Sequence, residues 1–358
     1  MQSYKDFDFY VERNVGQVVE KGEYIFAVAA LDHPHIYGMC KGLEEAGAVC
    51  AAVYDPDPEK VKRFRNTFPN ARVASSVDEL LEDKYINMIA AAAIPNRRCD
   101  LGIRVMEAGK DYFTDKAPLT TLDQLERAKA AVKRTGRKYM VYYSERLHVE
   151  SAVVAGEMIQ SGIIGRIVQV INIAPHRLSA KTRPDWFWSL EESGGTLCDI
   201  GSHQIEQFLY YTQNTSAQVL SAQLGNYNNP KYPEFDDFAA ATILGGNGAS
   251  QYMRVDWLNP DGLSAFGDGR LFVLGTKGYI EVRKYVDVAN DKRGDHIYFV
   301  DDRGEYHFCV EGQRGTPFFG EMILDCLERT ERAMTQEHIF LAAELAVKAQ
   351  EKAERTNK

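Results

Sequence analysis

The chain has 358 residues, of which 45% are hydrophobic and 26% charged, and its length suits about two folded domains. Its 42 lysines and arginines against 51 aspartates and glutamates leave a formal charge of −9 without a basic cluster, so we expect no nucleic-acid partner. No stretch approaches the ~20 apolar residues of a membrane span, and the N-terminus lacks the basic and apolar regions of a signal peptide, so we expect no membrane association and a cytoplasmic location.

Residues 1–22 are polar and aperiodic, and we interpret them as an extension before the first strand. From residue 23 onward, short apolar runs alternate with amphipathic helical patterns, which indicates parallel strands joined by crossover helices. Residues 23–145 are therefore predicted to form an α/β domain of the Rossmann type, with a doubly wound parallel sheet. Its predicted strands are Tyr24–Ala30, Val49–Tyr54, Ile86–Ala93, Asp111–Thr114 and Lys138–Tyr143.

After residue 145 the pattern changes to strand-like runs with few helices between them, which predicts an α+β domain over residues 146–330 with an open, mostly antiparallel sheet. We expect a helix at Glu150–Gln160 and another from Ser202, and a C-terminal segment, residues 331–358, whose helix packs back on the body. The predicted strands are Arg166–Ile173, Ala217–Leu224, Phe238–Leu244, Ser250–Trp257, Leu271–Leu274, Tyr279–Arg283, His296–Val300 and Tyr306–Val310.

The turn after the first strand stands where a doubly wound fold places a glycine-rich loop for a pyrophosphate. Ala30 and Asp32 stand where glycines are expected, and the Asp32 carboxylate would repel an anion by about 1 kcal/mol unless a cation lies nearby. His33 and His35 could supply that charge, or Asp32 could cap the following helix. The turn is thus either a modified nucleotide loop or purely structural, and we predict no metal because no third ligand is evident beside the two histidines.

Asp55 follows the second strand, about 25 positions beyond the first turn, where an acidic residue accepts hydrogen bonds from an adenosine ribose. A carboxylate at this place would repel a 2′-phosphate, which favours NAD over NADP. The alternative is a turn-forming aspartate in the sequence Asp55-Pro56-Asp57-Pro58.

Polar residues also follow the later parallel strands, and strand ends of this kind converge on one crevice. Pro95 and Asn96 follow the third strand, and Lys116 follows the fourth. A lysine ammonium at that edge can hydrogen-bond a substrate hydroxyl and stabilise a developing alkoxide. The alternative for Lys116 is a solvated surface charge.

A second polar motif surrounds the start of the helix at Ser202. Asp199 and His203 are four residues apart, so they share one face if the first turn is helical. The helix N-terminus disfavours imidazolium, so His203 would be available as a base near neutral pH. Alternatively, Asp199 caps the helix and His203 is a structural buried histidine.

Further polar and aromatic residues lie in apolar surroundings of the second domain and could recognise a hydroxyl-rich ring. The alternative for each arginine is a salt bridge. The candidates for substrate binding are Arg146, His176, Arg183 and Trp186.

The order and spacing of these motifs over roughly residues 23–330 resemble the Gfo/Idh/MocA oxidoreductase family. The segments that carry the resemblance are the first-strand turn, Ile94-Pro95-Asn96, Ala108-Gly109-Lys110, Asp115-Lys116-Ala117-Pro118, Gly162-Ile163-Ile164-Gly165, Gly194-Gly195 with Asp199 and His203, and Gly275-Thr276-Lys277-Gly278.

The resemblance implies a dinucleotide-binding Rossmann domain and a sheet domain that often mediates oligomers, here a homodimer or homotetramer. It implies hydride transfer to or from a secondary alcohol or ketone of a carbohydrate, cyclitol or glycoside. Lys116 would polarise the oxygen and His203 would act as acid and base, with Asp199 in support. NAD is the expected cofactor, and Ala30, Asp32, His33, His35, Asp55, Pro95, Asn96 and Lys116 are the residues expected to line its site.

The chain departs from the family pattern at the glycine loop, at Asp115, which replaces glutamate, and at Ala117, which replaces proline. A competing hypothesis is therefore a non-catalytic sensor or scaffold that binds a sugar or nucleotide in the same pocket. A third is metal-assisted lyase or hydrolase chemistry that uses His176, Asp199 and His203.

Overall fold

The computed structural model describes residues 16–356, so residues 1–15 of the predicted N-terminal extension lie outside the described residues. The remainder of that segment packs on the body: the backbone N–H of Val18 donates to the carbonyl of Ala46 (3.0 Å), and Val19 is buried. Within residues 16–356, no helix is both long enough and apolar enough to cross a membrane.

The first sheet has six parallel strands in the order β3-β2-β1-β4-β5-β6, with helices connecting successive strands. Its strands are β1 (Ile25–Leu31), β2 (Val49–Tyr54), β3 (Arg72–Val73), β4 (Met88–Ala92), β5 (Asp111–Asp115) and β6 (Tyr139–Tyr142). Its helices are α1 (His35–Glu45), α2 (Pro58–Thr67), α3 (Val77–Glu82), α4 (Pro95–Glu107) and α5 (Leu122–Thr135).

Local signals explain most of these elements. All residues of β4 and β5 are buried, as in a parallel sheet covered on both faces. Thr121 caps α5 by accepting from the backbone N–H of Gln124, and Gly136 ends that helix with φ of 65°. The sequence missed only β3 in this sheet, because two exposed residues show no hydrophobic periodicity.

The second sheet has nine strands in the order β14-β13-β12-β11-β7-β10-β9-β8-β15, and only the pairs β7 with β10 and β8 with β15 are parallel. Its strands are β7 (Ile167–Pro175), β8 (Ala217–Gly225), β9 (Phe238–Gly245), β10 (Ser250–Asp256), β11 (Arg270–Gly275), β12 (Gly278–Arg283), β13 (His296–Asp301), β14 (Gly304–Cys309) and β15 (Glu354–Arg355). The predicted fold class, a doubly wound parallel sheet followed by an open, mostly antiparallel one, is confirmed.

The remaining helices are α6 (Ser144–Leu147), α7 (Glu150–Gln160), α8 (Leu190–Ser193), α9 (Ser202–Thr212), α10 (Phe318–Glu328) and α11 (Gln336–Lys352). Helices α7 and α9 pack against the second sheet, and α11 packs against α9, β8 and α5, so the two parts of the chain share one hydrophobic core. The other face of the second sheet stays open and carries exposed apolar side chains. They include Val168, Leu220, Tyr252 and Leu274.

All six cysteines are free, and five of them are buried. They are Cys40, Cys50, Cys99, Cys198, Cys309 and Cys326.

Candidate functional site

The turn after β1 keeps one property of a glycine loop, since Ala30 has φ of 64°. The cation that pairs with Asp32 is Lys60 of α2, whose Nζ donates a hydrogen bond to the Asp32 carboxylate at 2.5 Å. The sequence suggests His33 and His35 for that charge, and no local pattern indicates Lys60, because Lys60 and Asp32 are 28 residues apart. Helix α1 has no side-chain cap, so the capping alternative for Asp32 is wrong.

Asp55 lies at the end of β2 with its side chain almost fully buried. Its Oδ2 accepts from the backbone N–H of Leu31 (2.7 Å), and its Oδ1 accepts from that of Asp57 (2.9 Å). The carboxylate therefore ties the ends of β1 and β2 together, as the turn-forming alternative required. Lys60 Nζ lies 4.0 Å from Oδ1, so one ammonium serves both acidic residues of this edge.

Pro95 and Asn96 begin α4 at the same edge of the sheet. Pro95 occupies the first helical turn, where its missing N–H costs nothing. The backbone carbonyl of Asn96 accepts from Gln124 (2.7 Å), whereas its side-chain Oδ1 is buried and has no hydrogen-bond partner among the described residues. A buried acceptor of this kind needs a partner from a bound molecule or water.

Asp115, the last residue of β5, is fully buried and holds the two histidines of the first turn. Its Oδ1 lies 2.9 Å from His35 Nδ1, its Oδ2 lies 3.0 Å from His33 Nδ1, and Arg98 Nη2 lies 3.3 Å from Oδ2. Burial opposes the carboxylate, but His35 leads the charges that outweigh burial and hold the pKa of Asp115 well below its usual range.

Lys116, directly after β5, and Asp199, in the turn before α9, form an ion pair. The Lys116 ammonium, whose side chain is 6% exposed, donates to Asp199 Oδ1, 83 residues further along the chain. Burial would raise the pKa of Asp199, but Lys116 outweighs burial and lowers it to about 2. Asp199 lies in a π-helical turn, Leu197–Gly201, directly before α9, and α9 has no side-chain cap. The surface-charge alternative for Lys116 and the capping alternative for Asp199 are therefore both wrong.

His203 lies in the first turn of α9 and is 2% exposed. Its ring centroid is 6.5 Å from that of His35 and 6.2 Å from that of Tyr143, and its Nδ1 has no hydrogen-bond partner among the described residues. Burial lowers the pKa of His203 to about 3, against the opposing charge of Glu145, so the ring is neutral near pH 7.

Glu145 and Lys284 form a buried pair that the sequence analysis did not assign to the site. Lys284 Nζ donates to Glu145 Oε2 (2.9 Å), Gln204 donates to the same oxygen (2.9 Å), and His176 Nε2 lies 3.4 Å from Oε1. Lys284 leads the charges that outweigh burial and hold the pKa of Glu145 well below its usual range. Glu145 is also the strongest charge acting on His203. Lys284 has no sequence signal of its own, because a lone lysine after a strand is usually solvated.

His176, Arg183 and Trp186 lie around an aromatic group in the second domain. The Arg183 guanidinium lies 4.4 Å from the ring centroid of Phe187 and 4.5 Å from that of Trp257. Trp257 is also 5.5 Å from the His176 ring, and Trp186 is half-buried beside Phe187. The structure thus brings these three sequence-predicted residues into one neighbourhood.

The structure does not bring Arg146 to the crevice. Its guanidinium makes a buried bidentate pair with Glu206, with Nε at 2.8 and 3.0 Å from the two carboxylate oxygens, and lies 3.8 Å from the ring centroid of Tyr210. His338 Nε2 also contacts Glu206 (3.1 Å). Arg146 therefore has the salt-bridge role that stood as the alternative, in a buried form.

Comparison with known families matches both halves of the chain. Residues 35–143 match the model described as oxidoreductase family, NAD-binding Rossmann fold, and residues 153–281 match the GFO/IDH/MocA C-terminal domain. The chain belongs to the Gfo/Idh/MocA oxidoreductase family. The family assignment made from the motif order is thereby confirmed.

Individual relatives agree with this assignment. The solved structure of a protein from Erwinia carotovora atroseptica SCRI1043, described as an oxidoreductase, superposes on this chain with a TM-score of 0.91. The two sequences are 48% identical, and the match covers 93% of this chain and 100% of the other. Oxidoreductase P35 from Formosa agariphila is 27% identical over 45% of this chain and only about half (51%) of its own length. The NAD(+)-dependent scyllo-inositol 2-dehydrogenase of Bacillus subtilis is 23% identical over 81% of this chain and 83% of its own.

Proposed function

We propose that this protein is an NAD-dependent oxidoreductase that moves a hydride to or from a secondary alcohol or ketone of a carbohydrate, cyclitol or glycoside. The observation that carries the proposal is the Lys116 ammonium, bound to Asp199, close enough to the buried His203 imidazole for its charge to lower the pKa of that ring. Both groups lie beside the carboxyl edge of a doubly wound sheet, where such folds bind dinucleotides.

The crevice offers features that fit a dinucleotide. Asn96 Oδ1 and His203 Nδ1 are buried polar atoms without partners among the described residues, and Ala30 preserves a positive φ in the turn. Asn96, the turn and Asp55 would hold the cofactor, and bound nicotinamide would supply the hydride acceptor or donor. We propose NAD over NADP because the buried Asp55 carboxylate would repel a 2′-phosphate, although Lys60 at 4.0 Å reduces that repulsion.

The protein's own residues then manage the substrate oxygen. Lys116 has one hydrogen bond to Asp199 and further N–H donors for a substrate hydroxyl, so its charge stabilises alkoxide character as the C–H bond breaks. Neutral His203 accepts the hydroxyl proton during oxidation and returns it during reduction. The Glu145 carboxylate is the strongest opposite charge acting on His203 and favours the imidazolium that forms, while Asp199 holds Lys116.

A polyol or sugar suits the remainder of the pocket. Arg183, His176 and Trp186 combine cationic and neutral donors with aromatic faces, and a sugar ring uses both kinds of contact. The similarity to a dehydrogenase that acts on scyllo-inositol supports the same class. We further propose that the open face of the second sheet pairs two copies into a dimer or tetramer, which sedimentation analysis would show.

The test combines nucleotide binding with a substrate panel. NADH and NADPH are titrated by nicotinamide fluorescence, and hexoses, pentoses and inositols are then screened for NAD+ reduction by absorbance. We expect Lys116→Met to lower kcat by about 10²–10³ while the Kd for NADH changes less than about threefold, because the lysine acts on the reacting oxygen. Lys138→Met, at a buried lysine paired with Glu331 on another part of the fold, is the matched control.

Turnover by Lys116→Met at the wild-type rate would remove the proposed role. A protein that binds sugar or NADH but never transfers a hydride is instead the sensor of the competing hypothesis. One observation favours that second candidate: the loop N–H groups of Leu31 and His35 are already engaged by Asp55 and the His33 ring, so fewer donors are available to a pyrophosphate.

A further inference from the structure

Three potential metal ligands converge between the turn after β1 and the end of β5. His33 Nδ1, His35 Nδ1 and a carboxylate oxygen of Asp115 all lie within 4.8 Å of one another. Each Asp115 oxygen faces a different ring, at 3.0 Å for His33 and 2.9 Å for His35. No local sequence pattern indicates the third ligand, because Asp115 lies 80 residues beyond His35.

Hydrogen bonding alone does not satisfy the contact between His33 and Asp115. The backbone N–H of His35 donates to His33 Nδ1 (3.2 Å), so this nitrogen presents a lone pair and has no proton for the carboxylate. Two acceptor atoms therefore face each other at 3.0 Å. A cation between them would turn this unfavourable contact into two favourable ones.

The remaining contacts of Asp115 leave room for an ion. Its Oδ1 accepts from the backbone N–H of Lys116 (2.8 Å), and Arg98 lies 3.3 Å from Oδ2, but a carboxylate has about four lone-pair positions. These contacts fix the orientation of the carboxylate, as outer hydrogen bonds do in protein metal sites. Neutral imidazole is the form of histidine that binds metals.

We propose that His33, His35 and Asp115 bind one divalent first-row transition ion, with Zn²⁺ as the probe of choice. Two imidazoles and one carboxylate form a donor set that suits such ions and leaves positions open for oxygen ligands. The three potential ligand atoms lie within 4.8 Å of one another, and Zn²⁺ binds such atoms at about 2.0–2.2 Å, so small side-chain rotations would bring all three onto one ion. The His35 ring is 6.5 Å from that of His203, so the ion would adjoin the proposed acid and base and bind a hydroxyl or phosphate oxygen.

The test uses full-length protein without an affinity tag, stripped with EDTA and then titrated with Zn²⁺ by calorimetry. Elemental analysis after equilibration and gel filtration should give one zinc per chain, with a Kd in the micromolar range or tighter. His33→Ala and His35→Ala should each weaken binding at least about 100-fold, because each removes one of three protein ligands. Co²⁺ should give a visible absorption spectrum in the wild type that both variants lose.

His307→Ala is the matched control, since it removes an imidazole on β14 and should leave zinc affinity unchanged. Circular dichroism verifies that each variant is folded, and His33→Gln and His35→Gln replace any alanine variant that is not. Zinc binding of equal affinity in all variants, or far below one ion per chain, would overturn the proposal. NADH titration of the same metal-free protein is scored separately, so failure of the metal site and failure of the proposed function are distinguishable.

Discussion

The pair formed by Lys116 and Asp199 allows a quantitative test of the crevice. Lys116 is the main cause that lowers the pKa of Asp199 from its ordinary 3.8 to about 2. At 1.36 kcal/mol per pKa unit, the shift corresponds to about 2 kcal/mol of stability at neutral pH. Because the folded pKa is the lower one, this contribution is complete above about pH 4 and is lost as the pH falls through 2.

Replacing Lys116 with methionine removes the ammonium and leaves the Asp199 carboxylate, which is only 18% exposed, without its partner. We expect the free energy of unfolding to fall by about 3 kcal/mol, since breaking a buried pair also leaves an uncompensated charge. The double variant Lys116→Met/Asp199→Asn carries no such charge and should regain most of the loss. The two single variants and the double variant together give the coupling energy.

Urea unfolding at pH 7, followed by circular dichroism, measures all four proteins. We expect a coupling energy of at least about 1.5 kcal/mol between Lys116 and Asp199. Lys138→Met should cost less, about 1 kcal/mol or below, because its partner Glu331 is more than one-third exposed. A coupling energy near zero would refute the claim that these two side chains form a buried pair.

Three further outcomes follow from other contacts. Asp32→Asn should strengthen NADH binding and Lys60→Met should weaken it, each by about fivefold, since either change alters the electrostatic energy of a bound anion by about 1 kcal/mol. Fluorescence titration measures both affinities, and a change of both in the same direction would contradict the pairing of Asp32 with Lys60. His203 has a pKa of about 3 in the folded protein against an ordinary 6.5, so below pH 6.5 the unfolded state binds a proton that the folded state does not, and the free energy of unfolding falls. Between pH 7 and pH 5, the free energy of unfolding of His203→Gln should therefore fall by about 2 kcal/mol less than that of the wild type, as measured by urea unfolding. Arg146→Met should lower the free energy of unfolding by about 3 kcal/mol and leave KM within about twofold, and the double variant Arg146→Met/Glu206→Gln should recover the stability. A tenfold increase in KM would instead show that Arg146 binds substrate.

The sequence alone determined most of the secondary structure and the order of the two sheets, although not the two-residue strands β3 and β15. The predicted strand at Val49–Tyr54 and the predicted helix at Glu150–Gln160 have the predicted bounds, because hydrophobic periodicity, turn residues and caps act over a few neighbouring positions. The alternation of strands and helices also indicated which strand ends lie at the same edge of the sheet, so the sequence alone placed Asp55 and Lys116 at one edge.

Only the tertiary structure decided which charged groups meet. Lys116 pairs with Asp199 across 83 residues, and Lys284 pairs with Glu145 across 139, so no local pattern could predict either partner. Each pairing depends on a distance through space that is set by how the second sheet and α9 pack on the first domain. Electrostatic energy falls with that distance and rises with burial, and both quantities exist only in the folded chain.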